Sequence, residues 1–383
     1  MSWDQLVKKQ ADKLAKPEMT HILFAVSNPK KFEAVLPAVR LRAKVSVIDQ
    51  GWAAVEHGAQ EKYDAAVIEA DMPGITGFEI VKRIHEERKE KDLSSLPTLF
   101  IGNTEQVAES LDLIREFCEN SMSAPFHPAH FLSQLWEVCD VAAEGHWLEL
   151  NPLQQSVLKV TKSSIRKMFD AENTSSIIKP ELYEDCSRVL VEAAGNHDLR
   201  NVVDMLKRHH GYTFVHVLKV SSLMTIFGAE LGLGKTDMEL LAQGGLMHDV
   251  GKRNTPIEIL EKPSQLDERE WVEMKKHVIL SGSILRASPG IPKEVINIAE
   301  RHHEKIDGTG YPNGLKGGQM DDLSLISAIM DIYSALTDKR SYKQAMIPQK
   351  ALSIMDNMVG DHIEEGFYYR FKEMVLDGCM GDV

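Results

Sequence analysis

The chain has 383 residues, too many for one ordinary domain, so two or three are expected. Hydrophobic residues make up 43% and charged residues 26%, a globular balance, and with no long unbroken apolar run no membrane span is expected. A formal net charge of −13 argues against nucleic-acid binding as the main activity, and it means that an anionic ligand must be met by a local cationic patch or by metal ions.

The opening stretch "MSWDQLVKKQADKLAKPE" lacks the apolar core of a signal peptide and reads as a short amphipathic helix over residues 1–18. Cys118, Cys139, Cys186 and Cys379 are scattered without a CxxC pair, which fits a reduced, cytoplasmic protein. Over residues 19–145, "HILFAV", "KVSVI", "DAAVIE" and "PTLFI" have the apolar density of buried strands. Between and after them, "PKKFEAVLPAVRL", "GWAAVEHGAQ", "GFEIVKRIHEER" and "PAHFLSQLWEVCDVA" are amphipathic helices. Strand alternating with helix predicts a parallel sheet covered on both faces.

This half resembles the receiver domain of response regulators, best in "DAAVIEADMPGITGFEIVKRI", and the resemblance implies a flavodoxin-like α/β fold. The chemistry of a working receiver is missing. The first strand runs into Val26-Ser27-Asn28 with no acid, and the phosphoacceptor position is Glu69. The hydroxyl position is Gly102 and the lysine position is Ala124. A pseudo-receiver that is not phosphorylated in the usual way is expected, with a docking or dimerisation role. Glu69 either imitates a phosphorylated aspartate or is a polar strand end; without a lysine and a threonine to read it, the second is preferred.

From residue 146 onward the strand signal disappears, and an all-helical half is expected: a helical linker over 146–199, then a bundle over 200–383. "LGLGKTD" lacks the first glycine of a phosphate-binding P-loop, since position 229 is Ala, and reads as a helix stop and restart. The pair His209-His210 reads as a polar helix end. The helices of 150–200 make a parallel homodimer plausible.

The apolar segment "GLMHDVGK" carries His248, Asp249 and Lys252, which share one face if the segment is helical. Burying them is costly unless each has a strong partner. A divalent metal would supply one for His248 and Asp249, leaving Lys252 to face the metal's anion. His216, His277, His302, His303 and Asp331 lie in other helical stretches. Five imidazoles and two carboxylates, Asp249 bridging, suit two six-coordinate iron or manganese ions sharing water and phosphate. One zinc would need only three or four of them.

"YTFVH", "MHDVGK", "PIEILEKPSQLDEREWVEMKKH", "HHEKIDGTGYPNGLKG" and "DIYSALTDKRSYK" follow in order, and the half carrying them resembles the HD-GYP family of HD phosphohydrolases. The resemblance implies a helical bundle that hydrolyses cyclic di-GMP at a metal centre to linear pGpG, with GMP as the alternative end product. It implies that His216, His248, Asp249 and Asp331 hold one ion, and that Asp249 bridges to a second held by His277, His302 and His303. Lys252 would contact the scissile phosphate or the shared water, and Arg340 and Lys343 would grip the dinucleotide phosphates. Gly310 would let backbone approach the ligand, and Tyr311 would offer a hydroxyl or stacking face. Three positions depart from the pattern. Tyr212 replaces a glutamate that binds a third metal in some members, so two ions are expected. Lys219 stands where an arginine is usual, and Ser334 where a second aspartate is common. The competing expectations are a signalling adaptor that binds the nucleotide or a protein and turns over poorly, and a hydrolase of another cyclic dinucleotide.

Overall fold

The computed structural model describes residues 19–170, 177–339 and 344–377, so the expected helix over 1–18 lies outside the described residues. Two compact units divide the chain, one running to Gly145 and including Lys207–His210, the other made of His146–Leu206 and the chain from Gly211.

The first unit is a five-stranded sheet: β1 His21–Ala25, β2 Lys44–Ile48, β3 Ala65–Glu69, β4 Thr98–Gly102 and β5 Asn120–Ser123. All pairings are parallel, in the order β2-β1-β3-β4-β5, which is the flavodoxin-like arrangement. β1, β3 and β4 are buried along their whole length, as their continuous apolar runs demand. β5, "NSMS", is a half-buried edge strand whose polar composition gives no strand signal in sequence. Helices α1 Leu36–Arg42, α2 Gly51–Gly58, α3 Gly77–Glu90, α4 Thr104–Glu109, α5 Leu111–Phe117 and α6 Pro128–Gly145 follow the strands. One face of the sheet packs Val39 of α1 and Phe131 and Leu135 of α6; the other packs Val55 of α2 and Ile80 and Ile84 of α3.

Glu69 ends β3 and is buried. One carboxylate oxygen accepts from the Ser27 backbone N–H at 2.8 Å and the Ser27 hydroxyl at 2.6 Å, and the other pairs with Lys31. The carboxylate therefore has partners of its own, supplied by the loop where acids were missing.

His209 and His210 are not an exposed polar end. They are buried in the α/β unit. The His210 backbone N–H donates to Asp140 at 2.6 Å, its ring stacks on Trp136 at 4.9 Å, and its carbonyl accepts from Arg42. The histidine spacing gave no sign of this, because the partners are about 70 and 170 residues away in sequence.

The second unit is helical: α7 Pro152–Phe169, α8 Glu184–Gly195, α9 Leu199–Leu206, α10 Tyr212–Glu230, α11 Lys235–Met247, α12 Ile257–Leu260, α13 Glu268–Ala287, α14 Lys293–Arg301, α15 Asp322–Thr337, α16 Pro348–Asp356 and α17 Glu365–Leu376. Residues 146–199 are not a separate linker. Val157, Leu158 and Ile165 of α7 and Leu190 of α8 share one core with α10, α11 and α15, so these helices spend their apolar faces within the unit. The stop and restart at "LGLGKTD" is present, with Gly232 at φ +69° between α10 and α11. By length and composition α10 would pass as a membrane span, but 78% of its apolar window is buried inside the unit, as in the central helix of a core.

Candidate metal centre

α10 is apolar around its circumference, and His216 is a buried polar side chain on it. α11 can lie close against α10 because Gly245 faces it: a Cβ there would sit 2.5 Å from the Ser221 Cα. This approach carries the end of α11 to His216. The helix stops at Met247, His248 caps it, and residues Val250–Asn254 tighten into a 3-10 turn. The expected continuous helix through "GLMHDVGK" is therefore broken. Asp249 and Lys252 still meet, because side chains three apart eclipse in a 3-10 turn, and Lys252 is ion-paired to Asp249. Gly251 makes room for α13, since its Cβ would lie 2.1 Å from the His277 carbonyl oxygen.

His277 comes from α13, and His302 caps α14 with His303 just beyond it. Asp331 comes from the buried helix α15. Asp249 and the other six groups converge. One carboxylate oxygen lies 3.4 Å from His216 Nε2 and 3.3 Å from His248 Nε2; the other lies 3.2 Å from His277 Nε2 and 3.8 Å from His302 Nε2. Asp331 lies 3.1 Å from His216 Nε2 and 3.5 Å from His303 Nδ1. Three sets have donor atoms close enough for a metal ion: His216-His248-Asp331, His248-Asp249-His302 and His277-His302-His303.

Three imidazoles are fixed in the same way. His248, His277 and His302 each direct Nδ1 at the carbonyl three residues earlier, of Gly245 (2.8 Å), Met274 (2.7 Å) and Ala299 (3.0 Å). A carbonyl only accepts, so Nδ1 carries the proton and Nε2 is the nitrogen turned into the cluster. Burial and then the neighbouring His303 and His248 hold His302 well below its ordinary range, and burial foremost pushes His303 down to about 3, so both are neutral. Burial alone would raise the Asp249 carboxyl, but the charge of Lys252 beside it is foremost among the causes that hold the group well below the usual carboxylate range. His248 Nε2 and one Asp249 oxygen are buried without a hydrogen bond. Buried polar atoms are rarely left so, and an imidazole nitrogen and a carboxylate oxygen orphaned together fit divalent cations.

Over this cluster the segment after His303 folds back. The Tyr311 backbone N–H donates to the His303 carbonyl at 3.1 Å, and the two rings lie 4.8 Å apart. Burial and then Asp331 and Asp249 push the Tyr311 phenol up, so it remains a neutral donor. Gly310 serves its own chain: a Cβ would lie 2.3 Å from the Lys305 nitrogen. Asp307 shapes the turn by accepting from the Thr309 N–H at 2.8 Å. Tyr212 stacks on His216 with ring centroids 5.4 Å apart. Arg340 and Lys343 lie outside the described residues.

Two acids escaped the sequence reading. Glu304, almost fully buried, accepts the Asn313 N–H at 2.7 Å and the Leu315 N–H at 3.0 Å, pinning the Tyr311 loop from beneath. Asp338 accepts from His216 Nδ1 at 3.1 Å. Its place four residues after Ser334, on the line of α15, was the available signal.

The HD domain family model matches residues 200–365. The 3'3'-cGAMP-specific phosphodiesterase 1 of Vibrio cholerae is 39% identical over 42% of this chain and 36% of its own length. The 3'3'-cGAMP-specific phosphodiesterase 3 of the same organism is 32% identical over 58% of this chain and 46% of its own. A cyclic di-GMP phosphodiesterase of Thermotoga maritima is 27% identical over 82% of this chain and 78% of its own. The chain thus spans less than half the length of these two Vibrio relatives.

Proposed function

We propose that this chain, which carries an HD domain over residues 200–365, is a metal-dependent phosphodiesterase of cyclic dinucleotides, acting on cyclic di-GMP in second-messenger signalling. The observation that carries the reading is the placement of Asp249, with one oxygen toward His216 and His248 and the other toward His277 and His302. A carboxylate between two imidazole sets is the arrangement a two-ion site needs. His216, His248, Asp249 and Asp331 would hold one ion, and Asp249, His277, His302 and His303 the other, with iron or manganese favoured by the nitrogen-rich donor set. Two such ions supply an activated water near neutral pH and offset phosphate charge.

The chain's own part is positioning and charge. Lys252, buried beside Asp249, faces the charge that develops on the phosphoryl oxygens as water attacks in line and the ribose oxygen leaves. The Tyr311 hydroxyl and the loop from Gly310 would orient the nucleotide, and Arg340 and Lys343 would grip its phosphates. The product would be the linear dinucleotide pGpG, with cleavage on to GMP as the alternative end point. The α/β unit, lacking receiver chemistry, would act as a non-phosphorylated regulatory domain in a cytoplasmic protein. A homodimer or a protein partner through that unit belongs to the same expectation.

A second substrate reading, 3'3'-cGAMP, is favoured by the names of the two Vibrio relatives. The decisive experiment is metal analysis with hydrolysis assays of both dinucleotides, in manganese and in anaerobic ferrous iron. Turnover of one substrate selects between them. Full metal loading, tight binding and no turnover of either would replace the enzyme by a nucleotide-binding adaptor.

A further inference from the structure

His216 is held differently from the other Nε2-presenting histidines of the cluster. His248, His277 and His302 direct Nδ1 at the backbone carbonyl three residues earlier. The Nδ1 of His216 instead faces two side chains from α15 and its end, Asp338 at 3.1 Å and Ser334 at 3.2 Å. Ser334 is the position where the sequence lacks an expected carboxylate, and Asp338 brings one in from four residues later. α15 ends at Thr337, and Asp338 is its cap, with φ −90° and ψ 145°. This break in the helix turns the Asp338 side chain back along the face of Ser334.

The Asp338 carboxylate is fully engaged. One oxygen takes His216 Nδ1 and the Ser334 hydroxyl at 2.9 Å. The other takes Lys219 Nζ at 2.9 Å, and Lys219 also donates to the Thr337 hydroxyl at 2.7 Å. Both charged groups are buried. Lys219 lies three residues after His216 on α10, so one helix supplies the imidazole and the counter-ion and the other supplies the carboxylate. Such a buried pair would be poor value as a stabilising device, since an apolar pair of the same volume does as well. Its geometry does something an apolar pair cannot. It fixes the imidazole's rotation and holds the proton on Nδ1, so that Nε2 faces Asp249 and Asp331.

We propose that Asp338 is the positioning residue for His216, replacing from the helix cap the carboxylate absent at position 334, with Lys219 as its charge partner. The inference rests on the two-metal reading of the site. It makes the His216 set the adjustable half of the centre, because among the described histidines that present Nε2 this is the one held at Nδ1 by a side-chain carboxylate, whose replacement leaves the backbone untouched.

The test is binding of Mn(II) alone to the full chain, with free Mn(II) followed by electron paramagnetic resonance and folding checked by circular dichroism. The wild-type chain should take two ions. Asp338→Asn should weaken one of them about 10- to 100-fold, the usual effect of removing such a partner, and leave the other unchanged. Lys219→Met breaks the same ion pair but keeps the carboxylate on His216, and it should lower the melting temperature while retaining both ions. The exchange Ser334→Asp with Asp338→Ser moves the carboxylate one turn back on the same face and should restore the lost affinity. A folded Asp338→Asn that binds both ions as the wild type does, or a Lys219→Met that loses the same ion to the same degree, would overturn the proposal. A wild-type chain that binds no divalent ion would instead remove the two-metal reading itself.

Discussion

His303 and Tyr311 are 4.8 Å apart, ring to ring, yet their chemistry separates them. His303 is a neutral imidazole beside Asp331, suited to an ion; Tyr311 is a neutral phenol over the same place, suited to a ligand. His303→Ala should therefore empty one metal position, read by manganese stoichiometry. Tyr311→Phe should leave both ions and weaken the dinucleotide, by about 1 kcal/mol or roughly fivefold for one hydrogen bond. Equal metal loss in the two variants would contradict this division. Glu304 belongs to the same scale. Its two charge-assisted hydrogen bonds hold the Tyr311 loop, so Glu304→Gln keeps one acceptor oxygen and leaves the other N–H facing an amide. A stability loss of about 1.5–3 kcal/mol in thermal unfolding is expected from the value of a bond to a charged group, with metal content unchanged. The clustered histidines and aspartates were legible in sequence because His and Asp inside apolar helices are conspicuous. Sequence hid Glu304 and Asp338 because an acid beside a polar loop looks solvated until the fold buries it.

Among the elements, the ones that could be read were those whose burial is written in composition. The apolar runs of β1, β3 and β4 and the largely apolar, buried α10 and α15 left little choice. β5, α4 and α5 were not legible, since "NSMS", "TEQVAE" and "LDLIREF" are polar, short or at an edge, and only their neighbours make them regular. The break after α11 is the more consequential miss. Helical spacing placed Lys252 beside Asp249 for the wrong reason, and the 3-10 turn does it instead because α13 passes close at Gly251. Gly251→Ala would push a methyl against the His277 carbonyl and the Ser281 N–H. It should cost about 1–3 kcal/mol, the range for overpacking, and should weaken metal binding with it, because His277 moves on the same helix. Unchanged manganese affinity in Gly251→Ala would mean that the turn and α13 do not need each other.

At the scale of the whole molecule, two sets of cores share no residue: the helical core runs from Trp147 to Val375, and the α/β unit has its own on either face of the sheet. Ligand and mutational effects should therefore divide between two unfolding transitions. On the proposed two-metal reading the ions would bind the folded helical unit, so manganese at a hundred times its dissociation constant should raise that transition by about 2.7 kcal/mol per ion, and a chelator should reverse it. The α/β unit answers to Asp140 instead. Burial alone would raise that carboxyl, but His209 and His210 outweigh it and hold it below its ordinary range. A carboxylate with a depressed folded pKa contributes stability that is full above the unfolded value of about 3.9 and is lost as pH falls through the folded value. Calorimetry from pH 6 downward should show the α/β transition falling below about pH 4. Asp140→Asn should lower it at neutral pH by about 2 kcal/mol and flatten that acid slope, while the manganese shift of the helical transition stays as in the wild type. If Asp140→Asn abolished the manganese shift, the two cores would be one cooperative system, and the proposed partition of the chain into a regulatory unit and a metal-binding unit would have to be abandoned.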